Sequence, residues 1–231
     1  MNDLFGGKFS PVTNTIGFLR CDHLRAAEAF LDWQENIQRS RGVSLEKAEI
    51  HGDFQSAILK LFPLTSVERR RYLFIPTRSD WTAFLDNGHQ GTDAFSPLSY
   101  LAGRLSCEGV RATCVLDGQK DRYPAVILEI YGPERTEFLN YVRSIAVAYD
   151  GKKWSFAASG STQPFEQVEK YSSRYIQDRF RPEMLSDYLK ALGIRAFEED
   201  FYLPESQEAM LIEKHGPIAS AAREFRLADI Q

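Results

Sequence analysis

The stretch from residue 145 to residue 158 constrains this chain more than any other. Ile-Ala-Val-Ala-Tyr at 145–149 and Trp-Ser-Phe-Ala-Ala at 154–158 flank a turn containing Asp150-Gly151. Asp-Gly supplies the positive φ angles of a tight reversal, so two β-rich runs on either side of it form a hairpin. A hairpin commits the fold to an antiparallel sheet. Residues 110–116 and 125–131 extend it with a second strand pair joined by the polar stretch 117–123. Tyr-Leu-Phe-Ile-Pro at 72–76 is a further strand. At 81–85, Trp81, Ala83 and Leu85 share one face while Thr82 and Phe84 share the other. Residues 15–20 make a short strand ahead of all of these.

Helices surround this strand-rich middle. Asp22 is placed to cap a helix carrying Leu24, Ala27, Phe30, Leu31, Trp33 and Ile37, with Gly42 ending it. Ser96-Pro97 reads as a helix start before Leu98, Leu101, Ala102 and Leu105. Pro182 opens another helix, with Met184, Leu185, Tyr188, Leu189 and Leu192 as its stripe and Gly193 past its end. Less regular expectations are a helical turn near Ser44, Glu46, Lys47 and Ala48, and a strand or helix over 54–62. Short helices are expected after Pro133 (with Phe138, Leu139 and Val142), over 168–180 and near 218–226. Strands do not alternate strictly with helices, so the fold class is α+β, a central largely antiparallel sheet flanked by helices. One domain spans residues 1–231, with 1–14 an irregular lead-in and 197–231 a tail wrapping the surface.

Composition narrows the function. A net charge of −4 at pH 7 speaks against general nucleic-acid binding, which needs clustered cations. No apolar run approaches the roughly 18 residues of a membrane span, and the start lacks a secretory pattern. A cytoplasmic protein is the expectation. Cys21, Cys107 and Cys114 fit no disulfide framework or zinc spacing and read as reduced core thiols.

The most distinctive polar segment is residues 80–93, an aromatic strand running into a Gly-rich loop with Asp86, Asn87, His89 and Asp93. Two carboxylates and an imidazole there suit metal ligation or acid–base work. The plainer reading makes Asn87-Gly88 a turn, Asp86 its cap and Asp93 an acceptor for nearby amides. Nucleophile-elbow and phosphate-loop patterns are missing, so no catalytic residue and no cofactor are assigned. Arg69-Arg70-Arg71 reads as a solvated basic edge. Glu198, Glu199 and Asp200, with Phe197, Phe201 and Tyr202 beside them and Glu205, Glu208 and Glu213 beyond, form an acidic surface bearing aromatics that suit an interface, or else Phe201 and Tyr202 tether the tail to the core.

Two stretches carry a family resemblance. They are Trp81-Thr82-Ala83-Phe84 with the Asp86-Asn87-Gly88 turn, and Trp154-Ser155-Phe156 through Phe165-Glu166 to the segment from Tyr188 to Gly193. They resemble bacterial proteins encoded beside secreted polymorphic toxins, many of which are immunity proteins. That resemblance implies a protein-binding role, neutralising a cognate toxin by occluding its active site. It transfers no functional residue. Asp86, Asn87, His89, Asp93, Glu198, Glu199, Asp200 and Tyr202 are the expected partner-binding residues. The alternatives are an enzyme or small-ligand or metal-binding protein using the 86–93 loop, and a structural or regulatory homo-oligomer.

Overall fold

The 150–153 turn forms because Asp150 accepts hydrogen bonds from the amides of Lys152 and Lys153, both at 2.9 Å, while Gly151 takes φ +91°. It joins β8 (Tyr141–Tyr149) to β9 (Trp154–Gly160) at the edge of a nine-stranded sheet. The computed structural model describes residues 4–118, 122–204, 207–217, 221–226 and 229. The other strands are β1 (Thr15–Leu19), β2 (Ser44–Ile50), β4 (Arg71–Pro76), β5 (Thr82–Asp86), β6 (Gly109–Val115), β7 (Ala125–Tyr131) and β10 (Ala209–His215). They run in the order β2-β10-β4-β5-β1-β6-β7-β8-β9, and each neighbouring pair is antiparallel. A two-stranded sheet pairs β3 (Leu64–Thr65) with β11 (Glu224–Phe225). The α+β class with a central antiparallel sheet is thus what the sequence pattern indicates.

Side chains alternate across the middle strands, so both faces of the sheet are apolar. Tyr72, Phe74, Phe84, Met210 and Ile212 point to one face, covered by α1 (His23–Gln38) and α3 (Phe95–Leu105). Leu73, Ile75, Trp81, Ala83, Leu85 and Leu211 point to the other, which is covered by α2 (Phe54–Leu59), α4 (Pro182–Ala191) and the N-terminal segment. Phe30 of α1 anchors the first layer, its ring 4.6 Å from Tyr72, 5.5 Å from Phe74 and 5.9 Å from Phe84 between centroids. Trp81 anchors the second through its indole N–H, which donates to the Leu192 carbonyl at the end of α4.

Several expectations are corrected. Residues 44–50 are a strand, not a helical turn, because they pair along their length with β10. Residues 54–59 resolve as helix, capped by Asp53 accepting from the Ser56 amide. The α1 stripe is rotated: Ala26, Ala29 and Phe30 face the sheet, while Leu24 and Ile37 are exposed. Helix α3 begins at Phe95 with Ala94 as its N-cap, so Ser96 lies inside the first turn rather than capping it. Residues 168–180 contain only two short 3-10 turns, Val168–Ser172 and Ile176–Asp178. Residues 133–140 form no helix, and Val142 lies in β8. The largest correction concerns the 197–231 tail, since β10 lies inside the sheet between β2 and β4. Of the helix expected near 218–226, residues 218–220 lie outside the described residues and 224–225 form β11. Among the described residues, no helix is long and apolar enough to cross a membrane.

Candidate functional site

The 86–93 loop is built as an internal latch. Asp86, 1% exposed at the end of β5, accepts from the amides of Gly88 at 2.9 Å and Asp93 at 3.0 Å, and faces the Arg69 Nε at 3.4 Å. Asn87 is equally buried. Its Oδ1 accepts from the Arg70 and Arg71 amides, and its Nδ2 donates to the Pro63 carbonyl. The His89 ring stacks on Phe225 with centroids 4.9 Å apart, and burial holds its imidazole below the usual histidine range. The Asp93 side chain is exposed. Asp86, His89 and Asp93 therefore do not converge on a shared point, and Asp86 caps the turn as the plainer reading has it, whereas Asp93 gives its own amide to Asp86. Asp86 and Asn87, expected at a partner surface, are enclosed by the turn they organise.

Asp86 does leave a pH signature. Burial pushes its carboxyl up to about 6 against the opposing pull of Arg69. The folded state then holds this proton more tightly than the unfolded chain does. The Asp86 contribution to stability is complete below the unfolded carboxylate range and is lost as pH rises through about 6. Denaturant unfolding between pH 4 and 7 should show it against Asp86→Asn. The wild type loses roughly 2–3 kcal/mol relative to the variant across that window.

The arginine triplet is not a solvated edge. Arg70 is buried, donating to the Lys214 and Pro217 carbonyls, and Arg71 forks onto Glu213 Oε1 at 2.8 and 2.9 Å. The acidic segment divides in two. Glu198, Glu199 and Asp200 are at the surface, paired with Arg195, Lys8 and Arg195 respectively. Tyr202 and Phe201 are core residues instead. The Tyr202 ring stacks on Phe54 at 4.5 Å, and its hydroxyl donates to the Ala196 carbonyl. Glu199 and Asp200, with His51, Arg78 and Glu208, line a shallow groove of about 580 Å³ whose charges largely answer one another. Glu205 lies outside the described residues.

A larger surface feature has no counterpart in the sequence reading. Helix α3 and residues 132–140 enclose a groove of about 1080 Å³, lined by Tyr100, Arg104, Arg135, Glu137, Leu139 and Asn140 among others. Its floor is fixed: buried Asn140 donates to the Ser99 and Gly132 carbonyls and accepts from the Ser99 hydroxyl. Leu139 and Tyr100 of its lining are 47% and 37% exposed, and Phe138, the residue before Leu139, stands beside the groove 65% exposed. Tyr100 stacks on Trp33 at 4.4 Å, and Phe138 lies over Tyr141 at 5.5 Å. Leu139 sits at φ +56°, a conformation that a γ-branched side chain adopts only at a cost of about 1–3 kcal/mol. The Thr136 amide closes this turn onto the Leu139 carbonyl at 2.9 Å, so the strained tip holds Phe138 and Leu139 outward.

The sequence reading expected Phe138 and Leu139 inside a helix, which would have buried them. The clue available was negative. They are two apolar residues among Glu134, Arg135, Thr136, Glu137 and Asn140, with no helical or strand period to bury them. Among the described residues, no group of three His, Cys, Asp or Glu side chains is placed to hold a metal ion. Compared with models of protein families, with curated proteins and with solved structures, the chain matches none.

Proposed function

We propose that this chain is a protein-binding protein of the immunity or inhibitor type, acting in the cytoplasm, which neutralises a toxin by seating its aromatic ridge against the toxin and covering the active site. The observation that carries the reading is the exposed patch made by Tyr100 and Leu139 of the groove with Phe138 beside them. Exposed aromatic side chains beside a groove and ringed by charge have the composition of an interface centre, where a few large residues supply most of the binding energy. The Leu139 backbone supports it further. A chain that needed only to turn there would place Gly or Asn at the positive φ, whereas Leu139 keeps an apolar side chain on the surface.

Phe138→Ala should weaken binding to the toxin by about 2 kcal/mol, roughly 30-fold, mainly through faster dissociation. Surface-plasmon kinetics on the purified pair read this directly. A change within twofold would remove the ridge from the interface. If the ridge instead joins two copies of this chain, sedimentation will show a dimer that Phe138→Ala dissolves, and the homo-oligomer replaces the toxin as partner.

A further inference from the structure

The β1–β6 ladder pairs Leu19 with Gly109, and one step beyond it the Arg20 amide donates to the Glu108 carbonyl at 2.9 Å. Beyond that bond the two chains leave the ladder, the Cys21 amide turning back to the Leu19 carbonyl and the Cys107 amide to the Ala102 carbonyl, so Cys21 and Cys107 follow directly on the joined Arg20 and Glu108. The two thiols are half-buried, and they lie close enough together for each to shift the acidity of the other. This departs from the expectation of three core thiols, which holds for buried Cys114 only.

We propose that Cys21 and Cys107 form a reversible redox site, oxidised to an intrachain disulfide by a low-molecular-weight disulfide such as glutathione disulfide. Cys107 is the attacking sulfur. The Cys21 side chain holds its thiol below the usual range despite burial, and the Arg25 guanidinium adds to this while Glu108 opposes it. The Cys107 thiolate breaks the S–S bond of glutathione disulfide and expels one glutathione. Cys21 then gives up its proton and attacks the Cys107 sulfur of the mixed disulfide, releasing the second glutathione. Two protein thiols are oxidised, and one glutathione disulfide is reduced to two thiols. The bond would link the residue before the Asp22 cap of α1 to the segment just past the end of α3, which is a wall of the groove. This proposal is independent of the proposed partner.

The test uses the full chain, first reduced and then equilibrated in glutathione buffers of increasing oxidised fraction. Intact mass and peptide mapping without reductant follow the products. The expected product has lost two hydrogen atoms, contains one Cys21–Cys107 peptide pair, keeps the Cys114 thiol and melts roughly 5–15 °C higher. Cys21→Ser should instead stop at one glutathione on Cys107. Three thiols surviving the most oxidising buffer, separate glutathione adducts on Cys21 and Cys107 of the wild type, or a pairing with Cys114 would each overturn the proposal.

Discussion

Deleting residues 205–231 should leave a chain that does not fold. Strand β10 pairs with β2 along its whole length and with β4 over residues 210–213, so its removal opens a gap inside the sheet. Met210, Leu211 and Ile212 are buried, on alternating faces. At about 1.5–3 kcal/mol for each buried side chain, their loss approaches an ordinary folding free energy of about 5–15 kcal/mol. The gap would also leave the ladder groups of β2 and β4 without partners. Circular dichroism and amide chemical-shift dispersion should report a disordered or aggregated product. A truncated chain that melts cooperatively near the full-length midpoint would mean that this segment is an appendage. Ile212→Asp in the full chain makes the same test without changing its length.

Glu166→Ala should cost about 3–5 kcal/mol, lowering the melting midpoint by roughly 10 °C or more. Glu166 is fully buried, and its carboxylate takes a forked pair of hydrogen bonds from Arg143 at 2.9 and 2.6 Å. It also accepts from the Gln163 amide and the Tyr171 hydroxyl. One side chain thus fastens the irregular segment after β9 to the sheet. Truncation strands a guanidinium that is only 6% exposed, and an uncompensated buried charge costs more than the pair itself contributes. Replacing both members, as in Arg143→Met with Glu166→Leu, should recover part of the loss. A single-variant cost below about 1 kcal/mol would show that water reaches the site on deletion.

The legible part of the fold was the part whose signals are local. Strands β4 to β9 carry β-branched and aromatic runs with turns between them, and the faces of Trp81, Ala83, Leu85 and Phe84 could be read by alternation. The 86–93 turn was legible too, because Asp86 organises its own backbone within a few residues, although the reach of Asn87 to Pro63, Arg70 and Arg71 was not. Strands β2 and β10 were not. Ser44-Leu45-Glu46-Lys47-Ala48-Glu49 has helix-favouring residues and lies on an exposed edge, and Ala209-Met210-Leu211-Ile212-Glu213-Lys214 is similar in composition. Their pairing joins segments about 165 residues apart, and tertiary pairing overrides such weak local preference. The groove was hidden for the same reason. Its walls come from α3 and residues 132–140, and the feature that exposes Phe138 is a backbone angle at Leu139. Tyr202 was misread because an aromatic flanked by Glu199 and Asp200 looks like an anchor, although its ring packs on Phe54.

The central claim is that the exposed Tyr100–Phe138–Leu139 patch docks a protein toxin. It is tested most directly by quantitative affinity capture from the native cell, comparing wild type, Phe138→Ser and Tyr175→Ser, the last altering another exposed aromatic. The account predicts one stoichiometric partner, toxic when expressed alone and neutralised by the wild-type chain. Tyr175→Ser should retain it, whereas Phe138→Ser should recover at least about tenfold less. A partner held equally by all three proteins, or no stoichiometric partner at all, would contradict it.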